Sequence, residues 1–156
     1  MQPLIGGKAF LLGVMLAASR DADEAFRTGN YDKAIALYFD FLGQFPDDFK
    51  AWLNLGIALG RIGKPQDSVK CFDRAIELLP QSVEAWYNLG LALHALGRHG
   101  DELRCYDRAL QLKPWYQLAV LQKVEVLRLL GREDESSALF REFLARRKSG
   151  LAEVAR

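Results

Sequence analysis

The chain has 156 residues, of which 50% are hydrophobic, 26% charged and 11% aromatic, and this composition excludes intrinsic disorder over most of the length. Lys and Arg number 21 against 20 Asp and Glu, so the charge argues against a basic surface that binds nucleic acid. Two cysteines cannot make a disulfide scaffold, and no run of about 18 apolar residues is present to span a membrane.

An internal repeat of 34 residues runs through the sequence. Glycine recurs at this step at Gly29, Gly63, Gly97 and Gly131. The same step relates Pro46, Pro80 and Pro114; Trp52 and Trp86; Asn54 and Asn88; Cys71 and Cys105; and the aromatic residues Tyr38, Phe72, Tyr106 and Phe140. Repeats of this length are typical of solenoids, in which one supersecondary unit is stacked on the next.

Each period predicts two helices. Over residues 49–62 the apolar residues are spaced by three and four positions, which places them on one face of a helix. Gly63 ends this helix, and Pro65 is tolerated in the first turn of the next one. No stretch alternates with the period of a strand, so we expect an all-α fold. The predicted helices are 15–28, 31–45, 49–62, 65–79, 83–96, 101–112, 117–130 and 133–147.

Two adjacent periods carry a recognisable consensus. The residues are Trp52, Leu55, Gly56, Phe72, Ala75 and Pro80, and then Trp86, Leu89, Gly90, Tyr106, Ala109 and Pro114. This pattern resembles the tetratricopeptide repeat (TPR), which implies a right-handed α-solenoid of about four helix-turn-helix repeats. The resemblance implies an apolar N-terminal segment at 1–14, repeats at 15–48, 49–82, 83–116 and 117–148, and a C-terminal tail at 149–156.

The N-terminal segment has two interpretations. The stretch from Ala9 to Ala18 lacks polar side chains and follows Lys8, as in the short apolar core of a signal peptide. Alternatively, it begins the first helix. We favour the helix and a cytoplasmic location, because cleavage after Ser19 would remove half of that helix. Export to the periplasm through residues 9–19 stays the alternative.

The sequence offers no catalytic constellation. His94 and His99 are five residues apart across the Gly97 turn and are not accompanied by a recognisable nucleophile, and neither a C-x2-C nor an H-x3-H pairing is present. Cys71 and Cys105 occupy equivalent places in neighbouring repeats, where small apolar residues fill a packed helix. We therefore expect no enzyme, no cofactor and no metal.

The resemblance also implies a binding surface. In tetratricopeptide arrays the first helix of each repeat lines a concave groove, and an amide side chain there can pair with both sides of a peptide unit. Leu118 and Leu121 would add apolar pockets. Asn54 and Asn88 alternatively serve contacts between helices. The candidate peptide-binding residues are Lys50, Leu53, Asn54, Ile57, Arg61, Glu84, Tyr87, Asn88, Leu91, Gln122, Glu125 and Arg128.

The sequence limits the partner. Tetratricopeptide domains that hold the acidic C-terminal tail of heat-shock chaperones use lysine, arginine and asparagine at fixed places, and a dicarboxylate needs those cations. The aligned residues are Ser19, Asp23, Glu84 and Asn88 in one register, and Leu53, Ile57, Leu118 and Gln122 in the other. Neither register supplies the cations, so we expect a different protein or peptide ligand.

These features predict a non-catalytic interaction module that binds a peptide or protein segment in the groove and assists complex assembly. The alternatives are a structural or self-associating solenoid and an exported envelope assembly factor. We expect no nucleic acid, since the run Arg146, Arg147 and Lys148 is too short and suits a helix end.

Two residues depart from the family pattern. Glu102 stands where the other repeats have Ala34, Ser68 and Ser136. A carboxylate there must either reach solvent or shift the start of the helix, and we expect that helix to begin irregularly. Trp115 stands in a connection, where it either forms a contact surface or covers the fourth repeat.

Overall fold

The computed structural model describes the backbone of residues 5–154 and the side chains of residues 13–149. These residues form eight helices and no strand. The helices are α1 (Ile5–Arg27), α2 (Tyr31–Gln44), α3 (Phe49–Arg61), α4 (Pro65–Leu78), α5 (Val83–Ala95), α6 (His99–Leu112), α7 (Gln117–Leu129) and α8 (Glu133–Val154). Successive pairs form helix hairpins, which confirms the all-α fold of four helix-turn-helix repeats.

The turn inside each hairpin explains the glycine period. Gly29, Gly63, Gly97 and Gly131 have φ of 77°, 76°, 69° and 71°, a left-handed conformation that residues with a Cβ rarely adopt. At the end of α3 the Gly63 amide donates to the Gly60 carbonyl at 3.1 Å, and the Lys64 amide donates to that of Leu59 at 2.9 Å. These bonds satisfy carbonyls that the helix end leaves without partners.

Side chains fix the starts of several helices. The carboxylate of Asp48 accepts from the Ala51 amide at 2.8 Å, and the Ser82 hydroxyl accepts from the Ala85 amide at 3.1 Å. Each bond satisfies one amide that the first turn leaves without an intrahelical partner. Pro65 is the first residue of α4, as its spacing from Gly63 predicted.

The chain divides into two compact units, with the boundary between Pro80 and Gln81. In the first unit, α3 packs against α1, α2 and α4. In the second unit, α6 packs against α5 and α7, and α7 packs against α8. The core of the first unit includes Ala22, Ala34, Tyr38, Phe41 and Leu55, and that of the second includes Leu103, Tyr106, Ala119, Val126 and Leu127.

The predicted bounds of the outer helices were wrong. α1 begins at Ile5 rather than at residue 15, so residues 5–14 of the predicted N-terminal segment are helical. Residues 1–4 lie outside the described part. α8 continues to Val154 rather than ending at 147, so most of the predicted tail is helical. Gly150 costs an α-helix only about 1 kcal/mol relative to alanine, which is too little to end it.

The irregular start expected near Glu102 was also wrong. α6 begins at His99, two residues after its turn glycine, as α2, α4 and α8 begin two residues after theirs. The Glu102 side chain does not reach solvent, being 0% exposed. His94 and His99 contact its carboxylate inside the hairpin, so Glu102 is accommodated without a shift of the start of α6.

Candidate functional site

The candidate residues of the first unit lie on α3. Lys50 and Arg61 are exposed, and Asn54 and Ile57 are half-buried. Leu53 is only 4% exposed and has almost no surface to offer a ligand. The reason is that α3 packs against three other helices, which leaves a narrower outer face than helical periodicity alone predicts.

Asn54 belongs to a polar network centred on Asp23 of α1. Its amide nitrogen donates to Asp23 Oδ1 at 3.2 Å and to the Tyr38 hydroxyl at 3.0 Å. The Tyr38 hydroxyl donates to the same carboxylate at 2.8 Å, and Lys50 forms an ion pair with it. Burial, helped by the bond to Asp23, raises the pKa of Tyr38. The Asn54 amide therefore joins α3 to α1 and α2, as the alternative interpretation of this residue had it.

Asn88 differs from its counterpart one repeat earlier. Its amide nitrogen donates to the Glu84 carbonyl of its own helix, α5, at 2.8 Å. Asn88 and Leu91 are half-buried, and Glu84 is exposed. Because a bond within one helix holds no other element in place, Asn88 can change partners at little cost to the fold.

Tyr87 packs in an aromatic group within the second unit. Its ring lies 5.7 Å from the Tyr116 ring in an edge-to-face arrangement and 6.1 Å from the Tyr106 ring. Burial raises the pKa of Tyr87. Its ring thus contributes to the second core and leaves only part of its surface for recognition.

The α7 candidates have more accessible surface. Glu125 and Arg128 are exposed, and a guanidinium nitrogen of Arg128 lies 3.8 Å from a carboxylate oxygen of Glu125. Gln122 is half-buried. Beside them, Leu118 and Leu121 are 47% and 37% exposed, and a spacing of three places them on neighbouring turns. This face of α7 combines exposed apolar and polar side chains.

Trp115 contacts the last helix. Its φ of 65° is the one positive φ of a non-glycine residue among the described residues. The Arg146 guanidinium lies 4.3 Å from the centre of its ring, a cation–π contact to α8. Pro114, Leu110, Val120 and Leu139 surround a small cavity next to the indole. These contacts favour the interpretation in which Trp115 covers the fourth repeat.

One cluster was missed by the sequence reasoning. His94, His99 and Glu102 bring their ligand atoms within 4.8 Å of one another. The search for C-x2-C and H-x3-H pairs missed it, because its histidines are five residues apart and its third member is a carboxylate. The available signal was an ionisable residue, Glu102, at the place where the other repeats have a small one.

Within residues 5–154, no helix is both long enough and apolar enough to cross a membrane.

The family model described as tetratricopeptide repeat matches residues 20–59 and 55–116, more than half of the chain. The chain therefore belongs to the tetratricopeptide repeat family, whose domains are typically non-catalytic modules of protein interaction. No curated protein sequence matches it.

Solved structures share this fold. The crystal structure of MamA has a TM-score of 0.77 at 20% identity, with 97% of this chain and 99% of that chain covered. The first TPR of Spaghetti (RPAP3), bound to an HSP90 peptide, has a TM-score of 0.72 at 23% identity, with 75% of this chain and 93% of that chain covered. The second TPR domain of human RPAP3, in complex with an HSP70 peptide, has a TM-score of 0.68 at 22% identity, with 71% of this chain and 92% of that chain covered. At these identities the likeness is one of fold.

Proposed function

We propose that the chain is a non-catalytic interaction module that binds a peptide or protein segment on the first helices of its repeats and so assists complex assembly. The proposed binding residues are Lys50, Asn54, Ile57 and Arg61 on α3, Glu84, Tyr87, Asn88 and Leu91 on α5, and Gln122, Glu125 and Arg128 on α7. Leu53 is left out because it is buried.

The observation that carries this proposal is the mixed face of α7. Leu118 and Leu121 leave apolar surface exposed to solvent, and the polar residues Gln122, Glu125 and Arg128 follow on the next turns. Apolar side chains bordered by polar ones are the usual composition of an interaction surface. Two RPAP3 domains of the same fold bind peptides, which supports the same use here.

The ligand we propose is not an acidic chaperone tail. The peptides bound by the RPAP3 domains, SRMEEVD and SGPTIEEVD, share an acidic end. A carboxylate, Asp23, stands in this chain at a place where an asparagine is needed, and it already holds Lys50 in an ion pair. A peptide with exposed apolar side chains suits α7 better.

A pair of double variants tests the proposal. Peptides selected from a displayed random library on the wild-type chain provide the probe. Leu118→Ser with Leu121→Ser should abolish their binding. The control is Leu129→Ser with Leu144→Ser, which changes leucines of similar exposure, 53% and 39%, and should leave binding intact. Equal binding by both variants would contradict the α7 surface, and a peptide ending in EEVD should not bind.

Self-association is the competing role. It predicts that the wild-type chain forms oligomers in sedimentation experiments and that no library peptide competes with them. If the Leu118→Ser, Leu121→Ser variant no longer forms oligomers but still binds the peptides, the self-association role replaces the peptide-binding role.

We also propose a cytoplasmic location. Met15 and Ala18 pack against the core of the first unit, so cleavage after Ser19 would remove side chains that this core uses. N-terminal sequencing of the natural protein tests this, and a start at Arg20 would overturn it.

A further inference from the structure

The third repeat contains a buried carboxylate at a place where the other repeats have a small side chain. Ser68 and Ser136 at this place donate to the carbonyls of Gly56 and Val124 in the preceding helix, at 2.7 and 2.9 Å. Glu102 is fully buried, and an ionised carboxylate has no proton to donate to a carbonyl. A buried charge is tolerated only when paired or coordinated, so its surroundings must be specialised.

Two imidazoles provide those surroundings. His94 Nδ1 lies 3.0 and 3.2 Å from the two carboxylate oxygens, and His99 Nδ1 lies 2.9 Å from Oε2. The second repeat has Gly60 and Pro65 at the histidine places, and the fourth has Arg128 and Glu133. All three members therefore differ from both repeats, and the cluster exists only where they occur together.

The nitrogen-to-oxygen separations match those of two ligands around one small cation. Two ligand atoms bonded to a zinc ion at about 2.0–2.1 Å, with an angle of about 90–110° between them, lie about 2.9–3.4 Å apart. The nitrogen-to-oxygen distances of 2.9–3.2 Å fall in this range. All three ligand atoms lie within 4.8 Å of one another, and the centres of the two imidazole rings are 5.4 Å apart.

The cluster is accessible on one side. The side chains of His94 and His99 are 44% and 31% exposed, and that of Glu102 is 0% exposed. An ion could enter between the imidazoles and keep a water as its fourth ligand, while the carboxylate holds it from within the hairpin.

We propose that His94, His99 and Glu102 form a three-ligand site for a divalent transition-metal ion of the zinc class. Two imidazole nitrogens and one carboxylate oxygen suit zinc, cobalt or nickel, whereas magnesium and calcium prefer oxygen ligands only. The bound ion links α5 to α6 and stabilises the second unit, because a metal that binds only the folded state raises its stability.

The first experiment is a titration of the full chain, without a histidine tag, with Zn²⁺ in competition with a chromophoric chelator. We expect one ion per chain and a higher melting temperature in its presence. Glu102→Ser introduces the side chain found at 68 and 136, so this variant should fold. It should bind zinc at least about tenfold more weakly, as should His99→Gln, because even the loss of an outer-shell partner of a ligand costs about 10–100-fold in metal affinity. The matched control is Glu142→Gln, which changes an exposed carboxylate on α8 and should bind zinc as the wild type does.

The second experiment identifies the ligand atoms. The Nδ1 atoms of both histidines face the Glu102 carboxylate, and long-range ¹⁵N–¹H spectra show which ring nitrogen of each histidine carries its proton. With Zn²⁺ bound through Nδ1, both protons should move to Nε2. Histidine spectra unchanged by zinc, or equal zinc affinity in Glu102→Ser and the wild type, would overturn the proposal.

Discussion

The ring of Phe72 lies so close to Gly56 that a Cβ on the glycine would come within 2.6 Å of the ring atom Cε1. Gly90 and Tyr106 repeat this contact in the second unit, at 2.4 Å. Both rings are buried and cannot turn away. In these two hairpins the helices therefore approach until one backbone contacts an aromatic ring, which explains why a glycine follows Leu55 and Leu89.

Gly56→Ala should lower the free energy of unfolding by about 1–2 kcal/mol, because overpacking a core outweighs the gain in helix propensity. Gly60→Ala on the same helix is the matched control. Its new Cβ would meet only Ser68 Oγ at 3.4 Å, an ordinary contact, so this variant should be neutral or slightly stabilised. Urea denaturation of both decides the matter, and equal stabilities would show that the ring contact does not matter.

The period of the sequence predicted the hairpins but not every side-chain environment. Gly63 and Pro65 marked the turn between α3 and α4 because each permits a backbone geometry that other residues resist. Leu53 and Glu102 were misjudged for a different reason. The burial of Leu53 depends on which helices pack around α3. The burial of Glu102 depends on two histidines that contact it only once the hairpin has formed.

The two repeat-related asparagines should behave differently on substitution. Asn54→Ala removes a side chain that joins three helices, and we expect it to cost about 1–2 kcal/mol. Asn88→Ala removes a bond within one helix and should cost under about 1 kcal/mol. Chemical denaturation measures both. If Asn88→Ala proves the more destabilising, its side chain has a structural role that the bond to Glu84 does not explain.

Trp86 should contribute to the stability of the second unit. Its side chain is half-buried and packs against the core cluster that contains Tyr106. Trp86→Ala should therefore cost about 3 kcal/mol, the lower end of the range for this substitution. Thermal melts followed by circular dichroism provide the measurement, and a loss below that of Asn54→Ala would contradict it.

Stability should fall in alkaline solution. Burial raises the pKa of the Cys71 thiol to about 12, and it also raises the pKa of Tyr38. An unfolded chain releases these protons near pH 8.5 and 10, whereas the folded chain keeps them. The stabilisation is complete below about pH 8 and is lost as the pH rises toward 12, at up to about 1.4 kcal/mol per pH unit for each group.

Urea denaturation between pH 7 and 10.5 should show this decline. Cys71→Ala should reduce its slope above about pH 8.5, because the variant has no thiol there to release a proton when unfolded. An unchanged slope in the variant would mean that Cys71 is not the source.

The core of the first unit is built from residues that lie between Met15 and Cys71. Because its members are close in sequence, closing the loops between them costs little entropy, and such local topologies fold quickly. Synthesis proceeds from the N-terminus at about 5–20 residues per second, slowly compared with helix-hairpin formation. A nascent chain that has emerged as far as Pro80 already contains every residue needed to bury Tyr38 and Leu55, so folding can begin while the third repeat is still being translated.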